Sequence, residues 1–347
     1  MTAVDNHTEN HPAAHSEASA PARSWKVPGV LGVVTLLALV LFVLRAESGT
    51  TTFDLATGTD FVTLPAVGVP TRATGIVLVV LLAIITVYAG VNVFRRVSTP
   101  VWLLAVYGVL FVFGFLTWAA AGATIPVPGL LIGAVALSTP LIFGAMGGVI
   151  SERVGVINIA IEGQLLSGAF VSAVVASVTG STYVALLAAL IAGALTALLL
   201  AMFSIKYFVN QVIVGVVLNV LIVGFTSFLY SVVLTKNSET LNSPPRFGRI
   251  DIPVLSQIPV IGPVLFQQTL IVYLMYIAVA LVWFGLFRSK WGLRLRAVGE
   301  HPQAADTVGI NVVRTRFWNV CLAGAIAGLG GAYFTLGSVG SFGKEMT

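Results

Sequence analysis

Arg288–Arg316 reads RSKWGLRLRAVGEHPQAADTVGINVVRTR, between the long apolar runs Leu270–Phe287 and Phe317–Leu336. The stretch carries Arg288, Lys290, Arg294, Arg296, Arg314 and Arg316, six of the chain's 18 basic residues. Its middle has the marks of a short helix. Pro302 suits the first helical position, where a missing N–H costs nothing. Gly309 suits the residue just past the end, where a left-handed backbone is needed. A helix of about two turns is not stable alone in water. It must dock on the rest of this protein or on a partner at a membrane surface. The plain reading, a basic loop that only fixes topology, stays open on residue types alone.

Working outward, the chain is 57% hydrophobic and only 9% charged over 347 residues, with a mean hydropathy of +1.00. Soluble domains carry about 25% charged residues. The composition therefore predicts an all-α polytopic transmembrane bundle of about nine spans. The apolar segments are Val27–Leu44, Thr74–Phe94, Val101–Ala121, Gly129–Ile150, Val154–Val178, Thr182–Phe203, Tyr207–Leu234 and the two that flank the loop. Pro140 predicts a break or bend in the fourth. Gly155, Gly163 and Gly168 would permit a broken or re-entrant helix near 154–168. The 35 glycines suit close helix packing, and Gly144/Gly148 and Gly324/Gly328 each form a GxxxG pair. Ala46–Thr71 and Lys236–Gln268 read as exposed loops.

Residues 1–27 read as a polar, disordered cytoplasmic tail. His7, His11 and His15 within it share a spacing of four, which fits a metal site or, with nothing to order them, a solvated face. Residues 28–128 form an N-terminal extension of about three spans, and 129–347 a core. With the N-terminus inside, twelve basic residues fall on the inner side and six on the outer. That bias predicts a plasma-membrane protein with its N-terminus and the 288–316 loop in the cytoplasm. The single cysteine, Cys321, excludes a disulfide within the chain and any cysteine metal cluster. The +5 net charge does not suggest nucleic acid.

Polar side chains inside apolar segments are the candidate site residues. Asn158 and Glu162 are four apart, which predicts one shared helix face. Glu162 is a carboxylate embedded in a long apolar run, so it should face protein or a water-filled path. Gln211, Gly215 and Asn219 fall at i, i+4 and i+8, and this face fits either a pore lining or interhelical glue. No HExxH, no GxSxG and no carboxylate cluster in the apolar segments suggests an enzyme. Gly340-Ser341-Phe342-Gly343-Lys344-Glu345 lacks P-loop spacing, so the chain supplies no ATP site.

Four stretches occur in an order that resembles the permease subunits of ABC importers: TPLIFGAMGGVISERVGVINIAIEGQLLSGAF, VNQVIVGVVLN, IPVIGPVLF and WGLRLRAVGE with Pro302, Ala304-Ala305 and Gly309-Ile310-Asn311. The group resembled handles simple sugars, nucleosides and branched-chain amino acids, and the likeness is closest to nucleoside permeases of the kind linked to basic membrane lipoproteins. It covers the chain from about Ala136 onward, and in that family the pattern continues past SFGKEMT, which implies a longer protein.

The resemblance implies a translocation path lined by Asn158, Glu162, Gln164, Asn210, Gln211 and Asn219. Phe170, Tyr207 and Phe208 fit either base stacking or plain packing. It implies a coupling helix using Gly299, Glu300, Pro302, Ala304, Ala305, Asp306 and Gly309. The implied partners are an ATPase, a second permease or a copy of this one, and an outer binding protein. No cofactor, metal or catalytic residue is implied. A secondary transporter, coupled to ions or protons through Glu162, is the rival reading.

Overall fold

The computed structural model describes residues 24–57, 61–344 and 346. The three tail histidines lie outside them. Among the described residues nine helices are long and apolar enough to cross a membrane. The chain is an all-α, multi-pass membrane protein, and it divides into two compact units.

The first unit holds the described residues through Asp54 together with Pro65–Pro126. Its helices are α1 (Lys26–Leu39), α2 (Thr71–Phe94) and α3 (Val101–Ala119). A wider turn carries α1 on to Leu44, where Arg45 N–H bonds to Val40 C=O at 2.9 Å. Leu31, Phe42, Leu82, Ala89 and Tyr107 form its core. Inside it the Thr35 hydroxyl meets Thr86 Oγ1 and Tyr107 Oη, each at 2.9 Å. Such polar groups must be satisfied within the bundle because lipid offers no partner.

Thr50–Asp54 and Val67–Pro70, within the Ala46–Thr71 segment, are more ordered than the sequence suggests. Strands β1 (Thr50–Asp54), β2 (Val67–Pro70) and β3 (Thr124–Pro126) form a small sheet in the order β2-β1-β3. The first pair is antiparallel, with Thr50 opposite Pro70, and the second parallel. Thr51 is fully buried, its hydroxyl bonding Thr117 C=O at 2.8 Å. Its threonine-rich, loop-like composition concealed this pairing.

The second unit holds the described residues of Leu55–Leu64 and those from Val127 onward. Its first helices are α4 (Val127–Arg153), α5 (Ile161–Thr179), α6 (Thr182–Ala201) and α7 (Gln211–Leu229). Between α7 and the next span lie α8 (Ser238–Leu241), β4 (Arg249–Asp251), α9 (Ile261–Phe266) and β5 (Gln267–Thr269). The last four helices are α10 (Leu270–Arg288), α11 (Lys290–Glu300), α12 (Pro302–Thr307) and α13 (Val312–Ala332). Helix α13 is the central one of this unit: it is more buried than the other long apolar helices, and it packs on α4, α5 and α6.

Small residues bring these backbones together. A Cβ on Gly193 would meet Gly328 Cα at 2.7 Å, and one on Gly168 would meet the same atom at 2.8 Å. The Gly324/Gly328 pair thus packs directly on α6. The Gly144/Gly148 pair faces Ile161 side-chain atoms at 3.2 and 3.3 Å, a looser contact.

The helix bounds bear on three sequence expectations, and they agree with a break near 154–168. Helix α4 runs unbroken through Pro140, with Ser138 and Thr139 hydroxyls bonded one turn back to Ala134 and Val135 carbonyls. The Val154–Val178 run is not one span: residues 154–160 are non-helical and α5 starts at Ile161. Asn158 and Glu162 therefore share no helix face. The basic loop is also shorter than it reads, because α13 begins at Val312 and takes Arg314 and Arg316 into its first turns.

Candidate functional site

The candidate region grows from the end of α4. Gly155 adopts φ +75°. Gly155 N–H bonds to Glu152 C=O at 2.9 Å, and Val156 N–H to Ser151 C=O at 3.0 Å. This paired return is the glycine-dependent helix stop known as the Schellman motif. It turns the chain into the elbow 154–160, whose free backbone groups must be satisfied by protein.

Helix α7 supplies the partners. Ile157 N–H donates to Gln211 Oε1 at 2.8 Å. Asn219 Nδ2 donates to Ile159 C=O, and Gly163 N–H donates to Asn219 Oδ1, both at 2.8 Å. Asn219 thereby caps α5 from another helix, where Ala160, at the N-cap position, has no side-chain acceptor. Gly215 lies between the two amides because a Cβ there would sit 2.8 Å from Ile159 Cβ. Asn158 and Gln164 are buried and pair reciprocally at 3.1 and 3.2 Å. Asn210 caps α7 itself, accepting from Val212 N–H at 2.9 Å.

The structure thus brings Asn158, Gln164, Gln211 and Asn219 together around one elbow, where Asn158, Gln164 and Asn219 each both donate and accept and Gln211 accepts through its Oε1. On this face of α7, Gln211 and Asn219 bond the backbone of the elbow and of the first turn of α5. Glu162 differs: it is exposed in the first turn of α5. Of the aromatic candidates, Phe170 packs edge-on against Phe342. Tyr207 and Phe208 are exposed. They lead into an open groove of about 460 Å³, lined in part by Ile157, Phe208, Asn210, Gln211 and Arg316.

The candidate coupling stretch has two parts. Helix α12 spans Pro302–Thr307, and Gly309 has φ +84°. Ile310 N–H bonds to Ala305 C=O at 3.0 Å, so the same glycine stop ends this helix. Ala305 is buried, while Glu300, Ala304, Asp306 and Val308 are exposed. The preceding helix α11 is absent from the sequence reading. Ser289 caps it, and Gly292, Leu295 and Val298 form its buried face. Gly299 packs against the end of α4, where a Cβ would meet Gly155 N at 3.3 Å. Trp291 Nε1 donates to Asn319 Oδ1 at 2.9 Å, fixing α11 on α13. The apolar spacing of Gly292, Leu295 and Val298 was the available signal, masked by three cationic side chains among eleven residues.

Residues 130–344 match the family described as branched-chain amino acid transport system / permease component. The chain belongs to this permease family. Among its relatives, the nucleoside ABC transporter permease protein NupC of Lactococcus lactis is 40% identical over 213 residues, 59% of this permease and 66% of that one. The guanosine ABC transporter permease protein NupQ of Bacillus subtilis is 40% identical, over 57% of this permease and 64% of that one. A second Bacillus subtilis protein, the guanosine ABC transporter permease protein NupP, is 29% identical over 58% of each chain. The chain spans less than two thirds of the length of each of these relatives. No solved structure matches the permease.

Proposed function

We propose that this chain is the membrane permease subunit of an ATP-driven importer of nucleosides, working by alternating access. The observation that carries the reading is 40% identity to nucleoside and guanosine permeases, in a chain whose residues 130–344, the elbow and α12 among them, match the permease family. A separate ATPase supplies the energy and docks on α12, and an outer binding protein delivers substrate. The charge bias supports a cytoplasmic N-terminus and a cytoplasmic α12. One organism holds two guanosine permease proteins, and this chain is nearer one (40%) than the other (29%). That difference favours pairing with a distinct second permease over pairing with a copy.

The exposed part of α12 gives the test. Ala304→Glu and Val308→Glu are expected to leave the chain folded and to abolish co-purification of a Walker-motif ATPase. Ala305→Glu is expected to lower the melting temperature instead, because Ala305 is only 3% exposed and a buried unpaired carboxylate costs several kcal/mol. If all three variants retain the ATPase, docking on α12 is wrong.

Glu162 separates this reading from an ion-coupled transporter. Glu162→Gln keeps hydrogen-bonding capacity and loses titration. Uptake of radiolabelled nucleoside is expected to stay within about threefold of wild type, well short of the tenfold that one lost charged hydrogen bond would cause. It is also expected to survive collapse of the proton gradient. Complete loss of uptake in Glu162→Gln would favour the proton-coupled reading.

A further inference from the structure

Arg316 joins three parts of the second unit that are far apart in sequence. It sits in the second turn of α13 and is half-buried. Its Nε donates to Val154 C=O at 3.0 Å, and its Nη2 to Val298 C=O at 3.4 Å. Val154 closes α4, and Val298 lies in the last turn of α11. Carbonyls in those positions lack partners within their own helix. Two helix C-termini, each with partial negative charge, therefore converge on one guanidinium.

Two glycines make room for this arrangement. A Cβ on Gly155 would sit 3.1 Å from Arg316 Nη2 and 3.4 Å from Gly299 Cα. A Cβ on Gly299 would meet the Arg153 carbonyl carbon at 3.1 Å. Backbone thus touches backbone where α11 passes the elbow, and Arg316 bridges the two from α13. Beyond Val298 the chain runs directly into α12. Beyond Val154 it runs into the elbow that holds Asn158 and leads to Glu162.

We infer that Arg316 is a positioning residue that makes α11–α12 and the elbow 154–160 move as one body. The inference rests on the proposed function for the direction in which motion is transmitted: a displacement of α12 reaches the elbow through Arg316. A guanidinium is needed because its planar fork can reach two carbonyls at once. A lysine ammonium offers a compact point charge without that fork.

The test uses Arg316→Lys, with Gly299→Ala as a second way of forcing the segments apart. In the purified chain alone, hydrogen exchange of segments 154–160 and 297–309 is expected to rise together. The expected factor is about tenfold, that of losing one charged hydrogen bond, with α5 and α6 unchanged. In the transporter reconstituted with its ATPase, hydrolysis is expected to persist while nucleoside uptake per ATP falls about tenfold. Exchange that rises in only one segment would overturn the clamp, as would two loosened segments with an unchanged uptake-to-ATP ratio. Should the wild-type complex show no ATP-dependent uptake, the proposed function fails, and the exchange measurement still decides the clamp.

Discussion

Gly193→Leu and Gly328→Leu are each expected to yield almost no detergent-stable protein. A Cβ on Gly328 would lie 3.0 Å from Gly193 Cα, and one on Gly193 would lie 2.7 Å from Gly328 Cα and 2.8 Å from Gly328 N. The obstructing atoms are backbone, so no side-chain rotation relieves the clash. Overpacking a core costs about 1–3 kcal/mol where neighbours can adjust, and separating two helices should exceed that range. Lipid tails are as apolar as leucine, so close contact between small residues carries much of the association. Moving α6 away from α13 also disturbs α5, since Gly168 packs on Gly328 as well. Gly90→Ala, Gly108→Ala and Gly224→Ala are the controls, because nothing lies within 4 Å of a Cβ at those sites. They are expected to melt at or slightly above the wild-type temperature. Size-exclusion profiles and thermal melts in detergent read both sets. A well-folded Gly193→Leu protein would contradict the α6–α13 packing.

Asn219→Leu is expected to be nearly as damaging, for a different reason. Leucine has a similar shape and no polar atoms, so Gly163 N–H and Ile159 C=O both lose their partner. Each unsatisfied group costs about 1–3 kcal/mol. The elbow would detach from α7 and the first turn of α5 would fray. On the proposed function, nucleoside uptake should fall by about tenfold or more, since 1.4 kcal/mol already corresponds to tenfold. Asn210→Asp is the contrast. Asn210 caps α7 through its Oδ1, aspartate keeps that acceptor, and the two residues cap equally well. Its uptake and melting temperature are expected to match wild type. Equal behaviour of the two variants would mean that the Asn219 bonds do not hold the elbow.

The candidate residues were legible in composition, and their hydrogen-bond partners were not. Asn158, Gln164, Gln211 and Asn219 stand out because amides are rare in apolar segments. An amide carries donors and an acceptor, and its sequence neighbours do not say whether substrate or backbone will use them. The decisive partner of Gln211 is Ile157, and those of Asn219 are Ile159 and Gly163. Asn158 and Glu162 looked like one helix face because the run around them is apolar throughout. The Gly155 stop removes that helix, since a left-handed glycine closes α4 before the run ends. Helix α11 was missed because its apolar face is narrow and holds a glycine that only the tertiary contact explains.

By itself the sequence determined that this is an all-α membrane protein with nine apolar segments, and that a short helix lies between Pro302 and Gly309. Those features depend on local quantities: hydropathy, proline's missing N–H and glycine's tolerance of positive φ. Only the tertiary structure decided that residues 154–160 form an elbow, that α7 amides hold it from one side, and that Arg316 and Gly299 meet it from the other. These are pairings of backbone groups that no neighbour in sequence can satisfy. Their partners lie 54 to 162 residues away and become partners only when the helices pack.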